Sequence, residues 1–239
     1  QVGTGGSGAG SATITNATGK TLSITSTANA DGSGIAASAT GNEATASASV
    51  SATAILNTGI TQVGAGTTAS NATVANSGTL NILSTATANG SNLTVSAVAG
   101  GGTQAQASGE VFASAGSTEG GSDGIRQVAS GGATSAASIT NSATLAIKAT
   151  AMAGVEGVPG GSETDPLPGI SAYASNASQV TASAGVGANA NLNQGISQVS
   201  NGGISSSALT NSGTLTIAAQ AHSTGSDLIA RAVSASSAD

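Results

Sequence analysis

A short phrase centred on an asparagine turn recurs four times, and this repetition constrains the fold more than any other feature of the sequence. A second phrase, the glutamine marker, contains a Gln-Val pair and precedes the asparagine phrase each time. The marker glutamines lie 61, 65 and 71 positions apart (1 to 62, 62 to 127 and 127 to 198). A period of this size is typical of a linear repeat protein. The asparagine phrases read "SATITNATGKTLSI" from Ser11, "NATVANSGTLNI" from Asn71, "AASITNSATLAI" from Ala136 and "SSALTNSGTLTI" from Ser206.

The markers divide the chain into four units, at residues 1–59, 60–124, 125–195 and 196–239. The first unit starts within its marker, and the fourth is incomplete. A segment rich in Gly, Asn, Asp or Pro follows each asparagine phrase and favours turns. It is longest at 154–169, which contains all three prolines. We therefore expect one variable connection in each unit, and an exposed, dispensable loop at 154–169.

Small apolar and hydroxyl residues alternate between these connections, as in "ATASASVSATAIL" from Ala44 to Leu56. Alternation with period two predicts a β-strand with alanine on the inner face and Ser or Thr on the outer face. Thirteen residues would span about 43 Å, so this strand either bends or is unusually long. The sequence predicts an all-β fold: an elongated β-solenoid, formed as a parallel β-helix or as stacked β-sheets. The alternative is a string of small β-sandwiches, although one Phe and one Tyr leave little for four separate cores to bury.

Register between the units would align chemically identical polar residues. If equivalent strands pair, two amide ladders are expected, one of asparagine and one of glutamine. The asparagine ladder would contain Asn16, Asn76, Asn141 and Asn211, and the glutamine ladder Gln1, Gln62, Gln127 and Gln198.

Composition excludes several classes of protein. The chain has four Lys and Arg residues in total, which is too few for a nucleic-acid-binding surface. It has no cysteine, which fits a secreted bacterial protein better than a disulfide-linked domain. No stretch of about 18 large apolar residues predicts a transmembrane helix. The chain begins at Gln1 without a signal-peptide pattern, so we expect a processed protein or a window of a longer one.

The segment "GISQV…ALTNSGTLTIAAQA" resembles the repeats of large Ala/Gly/Ser/Thr/Asn-rich β-strand-repeat surface proteins and autotransporter-like adhesins of Gram-negative bacteria, especially alphaproteobacteria. The resemblance covers all four units. It implies an extracellular or cell-surface location, a β-rich elongated fold, and an adhesive or scaffolding role. It implies no catalytic residues.

The sequence contains few candidates for chemistry. His222 is the only histidine and lies in a turn-like segment, so we expect no catalytic activity and no resident cofactor. Calcium binding is possible at the loop carboxylates Asp123, Glu163 and Asp165, although solvated turns explain them better. Ice binding is the alternative function, because Thr-x-Thr pairs on a flat face can order water. These pairs are Thr13/Thr15, Thr25/Thr27, Thr85/Thr87 and Thr214/Thr216.

The sheet edges carry few of the lysines and prolines that normally prevent edge pairing. Unit 4 lacks the second alternating stretch, and unit 1 starts within its marker, so the two ends look complementary. We therefore expect head-to-tail association by strand addition, between successive chains or between successive segments of one longer chain. The expected product is a surface filament or adhesin stalk that serves in cell adhesion, a biofilm or a matrix scaffold, with an unidentified cell-surface or matrix receptor as a further partner. The residues expected to carry this contact are Leu228, Ile229, Ala230 and Val233.

Overall fold

The chain forms a parallel β-solenoid of four stacked coils. The computed structural model describes residues 1–116, 123–155, 169–225 and 228–234. Every strand pairing in these ranges is parallel and joins one coil to the next. The all-β solenoid prediction is confirmed. The alternative of separate β-sandwiches is wrong, because the described strands of one unit pair with strands of neighbouring units and not with one another.

The strands follow one another in the same order in each coil. Coil 1 contains β1 (Val2–Gly5), β2 (Gly10–Asn16), β3 (Thr21–Ser33) and β4 (Ala36–Ile55). Coil 2 contains β5 (Thr58–Gly66), β6 (Ala69–Asn76), β7 (Thr79–Ser91) and β8 (Leu93–Gly116). Coil 3 contains β9 (Asp123–Ser130), β10 (Thr134–Asn141), β11 (Thr144–Val155), β12 (Ile170–Ser175) and β13 (Gln179–Asn191). Coil 4 contains β14 (Gln194–Asn201), β15 (Ile204–Asn211), β16 (Thr214–Gly225) and β17 (Leu228–Val233).

Equivalent strands of the four coils form four sheets, numbered here in chain order. The first sheet contains β1, β5, β9 and β14, the second β2, β6, β10 and β15, and the third β3, β7, β11 and β16. In the fourth sheet β8 lies centrally, with β4 on one side and both β12 and β13 on the other. One long strand of coil 2 therefore corresponds to two strands of coil 3.

The fourth-sheet strands are both long and bent. In β8 the chain reverses near Gly101, whose φ of 82° lies in the left-handed region that glycine tolerates. Val95 before the reversal and Ala105 after it lie in the same buried cluster. The pairing of β4 with β8 shifts register between Gly41 and Glu43, at the equivalent reversal of coil 1. A long strand thus becomes a flat arm with two layers.

The predicted alternation in β4 is confirmed. Its inner residues are at most 7% exposed, while the Ser and Thr residues between them face solvent. Alanine loses almost no side-chain entropy on burial, and its small size allows the two layers of the arm to lie close together. The inner residues are Ala44, Ala46, Ala48, Val50, Ala52 and Ala54.

Large apolar side chains concentrate at one corner, where the first three sheets meet. The cluster contains the Ile, Leu and Val residues that precede and follow the turn asparagine, so the recurring phrase supplies large apolar side chains on both sides of its turn. Burial of each such side chain contributes about 1.5–3 kcal/mol, against about 0.8 kcal/mol for a methyl group. The buried members of this corner cluster are Ile60, Val74, Leu80, Ile82, Ile125, Ile139, Leu145 and Ile147.

The expectation of one variable connection per unit is wrong. Coil 2 differs from coil 1 in several places: its reversal in β8 is longer, its turn after Asn76 is shorter, and more positions separate β8 from β9 (116 to 123) than separate β4 from β5 (55 to 58). The turn-rich segments after the asparagine phrase also remain largely in strands, since β3 continues to Ser33 and β7 to Ser91. Parallel pairing along the neighbouring coil holds these residues extended until the bends at Gly34 and Asn92, where φ is 66° and 54°.

The expected loop at 154–169 begins later than predicted, because β11 continues to Val155. Residues 156–168 lie outside the described part of the chain, and β12 begins at Ile170. Paired strands are about 4.8 Å apart, so the four coils rise only ~14 Å from first to last. β3 alone, with 13 residues, spans about 43 Å, so the described coils are wider than they are tall. A rod requires more stacked coils.

Candidate functional site

The four asparagines of the recurring phrase form one column in the second sheet. Each occupies the same register position in its strand. The side-chain amide of Asn16 donates to Oδ1 of Asn76 at 2.8 Å, that of Asn76 to Asn141 at 2.7 Å, and that of Asn141 to Asn211 at 2.6 Å. The first three are at most 5% exposed. The ladder lies inside the solenoid, where an unpaired amide would be costly.

Backbone contacts fix the direction of this ladder. Nδ2 of Asn16 also donates to the carbonyl of Thr79, and Nδ2 of Asn76 to the carbonyl of Thr144. Only a nitrogen can serve both acceptors, so the orientation of each amide is determined by its surroundings. The side-chain amides of Asn16, Asn76 and Asn141 therefore each donate from their own coil towards the next coil in chain order.

The glutamine ladder runs in the opposite direction. Nε2 of Gln127 donates to Oε1 of Gln62 at 2.8 Å, and Nε2 of Gln198 donates to Gln127 at the same distance. Gln127 also donates to the carbonyls of Ala72 and Ser138, which fixes its orientation. Each glutamine donor points back to the preceding coil. The two ladders give the stack a defined polarity.

Gln1 does not join the side-chain ladder. Its backbone carbonyl accepts from the amide of Val63, and its terminal amine donates to the carbonyl of Thr61 at 2.6 Å. The residue is exposed, and within the described residues its side chain makes no hydrogen bond to Gln62. Side chains in coil 1 have a neighbouring coil on one side only, so less of the structure holds Gln1 in the ladder geometry.

A serine column was missed by the sequence analysis. Ser70 Oγ donates to the carbonyl of Ser130 at 2.6 Å, and Ser135 Oγ donates to the carbonyl of Asn201 at 3.0 Å. Each contact ties the second sheet of one coil to the end of the first sheet in the next. The signal was present, because Ser70, Ser135 and Ser205 each lie six positions before a ladder asparagine (70 to 76, 135 to 141 and 205 to 211).

The open face of coil 4 exposes residues that every inner coil buries. We call this surface the coil-4 face and define it by Leu209, Ile217 and Leu228, which point towards the interior of the solenoid. They are 43%, 46% and 41% exposed. Three residues of coil 3 in the same columns are at most 1% exposed: Ile139, Ile147 and Ile170.

The predicted assembly residues lie in β17, which already pairs with β12. Leu228 and Ala230 continue the inner columns of the fourth sheet, whereas Ile229 aligns with the half-buried Ser171 and the outward Thr94. Val233 lies on the same side of β17 as Ile229, although its partner Ser175 is buried. All four are exposed. The structure therefore divides this set between the two faces of the strand.

The expected complementarity of the two ends stays a prediction. In the described part of the chain, coil 4 has no counterpart of β13, and the strand pairing of β13 is with β8. If coil 1 of a second copy stacked on coil 4, its β2 and β3 would pair with β15 and β16. Its β4 would then lie one layer beyond the layer that a coil-4 counterpart of β13 would occupy. One strand position beside β13 would therefore stay open.

The other candidate residues are dispersed. Asp123 begins β9 in register with Thr58 and Gln194, while Glu163 and Asp165 lie outside the described residues. His222 is exposed on β16 beside Met152. The described residues contain no group of three or more His, Cys, Asp or Glu side chains placed to hold a metal ion.

The threonine pairs do not stack on one another. Thr25/Thr27 aligns with Leu83/Thr85, and Thr214/Thr216 aligns with Thr144/Ala146. Thr13/Thr15 aligns with Thr73/Ala75. Among the described residues, one column on the third sheet is threonine in all four coils and consists of Thr21, Thr79, Thr144 and Thr214.

No protein-family model, curated protein or solved structure matches this chain. In the ranges that the structure describes, no helix is long and apolar enough to cross a membrane.

Proposed function

We propose that this chain is a structural, non-enzymatic segment of an extracellular surface filament or adhesin stalk. The stacking of like residues on like residues from coil to coil carries the proposal. Columns of Leu, Ile and Asn run through all four coils, and columns of Gln and Ser side chains run through coils 2 to 4, so each coil is a template for the next. A linear stack of this kind suits a scaffold that gains length by adding equivalent layers.

The distribution of polar groups supports the same role. Buried amides and hydroxyls are used to join coils to one another, as in the contact of Ser84 Oγ with the carbonyl of Ala54 at 2.9 Å. The outer faces carry mainly Ser, Thr, Asn and Gln, which present a broad hydroxyl- and amide-rich surface. Such a surface is suited to adhesion or to a hydrated matrix, and it requires no catalytic residue.

Electron microscopy tests the proposal directly. The purified chain is examined by negative-stain imaging over a range of protein concentrations, with sedimentation velocity on the same samples. Head-to-tail addition of copies predicts unbranched filaments whose length increases with concentration, since heterologous contacts do not close. A chain that stays monomeric at all concentrations would contradict self-assembly.

Ice binding is the second candidate, and the complete threonine column of the third sheet favours it. One column provides only half of a Thr-x-Thr array. Measurement of thermal hysteresis in a solution of the purified chain tests this function. Ice growth that begins at the equilibrium melting point, with no hysteresis gap, would exclude ice binding.

A further inference from the structure

The coil-4 face matches coil 1 in chemistry as well as in register. The inner columns of the stack begin in coil 1 and end in coil 4 with similar side chains. Ile24 begins the column that ends at Ile217, and Ile14 begins the column that ends at Leu209. Coil 1 of a second copy would therefore cover the coil-4 face with the side-chain packing that is already present between the internal coils.

The asparagine ladder leaves complementary groups at its two ends. In coil 4, Asn211 Nδ2 donates to the carbonyl of Gly213 in its own turn, which leaves one amide hydrogen for a further acceptor. In coil 1, Asn16 Oδ1 accepts no hydrogen bond from the described residues. A donor ends the ladder at coil 4 and an acceptor begins it at coil 1.

The glutamine ladder ends with the opposite chemistry. Gln198 Nε2 donates to three carbonyl oxygens, whereas Gln198 Oε1 accepts no hydrogen bond from the described residues. The coil-4 face therefore presents an asparagine donor and a glutamine acceptor at separate positions. If two coil-4 faces met instead, the contacting strands of the two copies would run antiparallel. The parallel register of the asparagine and glutamine columns would then be lost.

We propose that the coil-4 face binds coil 1 of a second copy in the internal register, with the two opposed amide ladders fixing the direction of stacking. The proposal rests on the proposed filament function and specifies its interface. The contact involves β14 to β17, and the strand position beside β13 remains open. Asn211 of one copy donates to Asn16 of the next, and inner apolar columns continue without a change of register.

Disulfide cross-linking tests this interface, because the chain contains no cysteine. Thr21 and Thr214 belong to one outward column, so they would be about 4.8 Å apart across the contact. A disulfide requires Cα atoms separated by about 4.4–6.8 Å. The variants Thr21→Cys and Thr214→Cys are prepared separately, mixed and oxidised mildly, and disulfide-linked dimers are measured on non-reducing gels.

A matched pair controls for register. Thr216→Cys lies on the same outer face two residues further along β16, at about 8 Å from Thr21 across the contact. We expect linked dimers from Thr21→Cys mixed with Thr214→Cys, and none from the pair with Thr216→Cys or from either variant alone. Efficient dimers of Thr214→Cys alone would show contact between two coil-4 faces and overturn the proposal. Cross-linking through Thr216→Cys, or no cross-link in any mixture, would also overturn it.

This outcome is separate from the test of the filament function. If the unaltered chain forms filaments but Thr21→Cys and Thr214→Cys do not cross-link, the filament function stands and this interface is rejected. If the two variants cross-link but the unaltered chain forms no filaments, the interface stands and the filament function is rejected.

Discussion

Asn76 donates its side-chain amide to Oδ1 of Asn141 at 2.7 Å, although the two residues are 65 positions apart in sequence. Both are at most 1% exposed. The same nitrogen also donates to the carbonyl of Thr144, at the turn that joins the second and third sheets. One amide therefore sets the register of a strand and supports the turn that follows it.

Replacing a central ladder residue should destabilise the solenoid. Asn141→Ala removes the acceptor for Asn76 and the donor for Asn211, which leaves one N–H of the buried Asn76 amide without its partner. We expect the free energy of unfolding to fall by about 1–3 kcal/mol, measured by urea denaturation. Thr140→Ala, at the exposed neighbouring position, is the control and should change it little. Equal effects of the two changes would argue against a stabilising ladder.

The arm should tolerate added volume on one face only. A Cβ at Gly109 would lie 2.5 Å from Cγ2 of Ile170, which is fully buried, so Gly109→Ala should lower stability by about 1–3 kcal/mol. The control is Gly185→Ala, where no atom lies within 4 Å of the added carbon. It should leave stability unchanged or raise it by about 0.5–1 kcal/mol. Thermal melting followed by circular dichroism measures both, and a stable Gly109→Ala would contradict the tight packing of the arm.

The connection between β11 and β12 should be replaceable by a single residue. Val155 is in register with Gly90 and Ile170 with Leu93, and coil 2 joins these positions through Ser91 and Asn92. Substitution of residues 156–168 by one serine reproduces that spacing, because Gly169 then takes the place of Asn92. We expect an unchanged circular dichroism spectrum and melting temperature. Loss of the strand signal would show that the connection is required for folding.

A charge on the coil-4 face should block assembly without unfolding the chain. Ile217 is 46% exposed, so Ile217→Lys leaves the monomer folded but would bury an unpaired ammonium in the contact. Thr216→Lys is the matched control, because its side chain points outward from the adjacent position. Sedimentation velocity should show monomers for Ile217→Lys and assembly for Thr216→Lys. Assembly of both variants would show that the coil-4 face is not the contact.

The local rules of the sequence predicted much of this fold. Period-two alternation identified the inner face of β4 residue by residue, and the repeated asparagine phrase located the corner between β6 and β7. The reversal near Gly101 was not predicted, because a glycine run permits a turn without requiring one. The serine column was overlooked because serine is abundant throughout the chain, so its recurrence at one position carries a weak signal.

The sequence by itself determined the strand content, the repeat and the residues that form the columns, because these depend on side-chain period and spacing along the chain. Only the tertiary structure decided the opposed directions of the two amide ladders and the folding of β4 and β8 into two-layered arms. It also decided the distribution of insertions over several corners. The physical reason is that amide direction depends on carbonyls supplied by neighbouring coils, such as Thr79 for Asn16. Those neighbours are about 60 residues away in sequence and adjacent only after the coils have stacked.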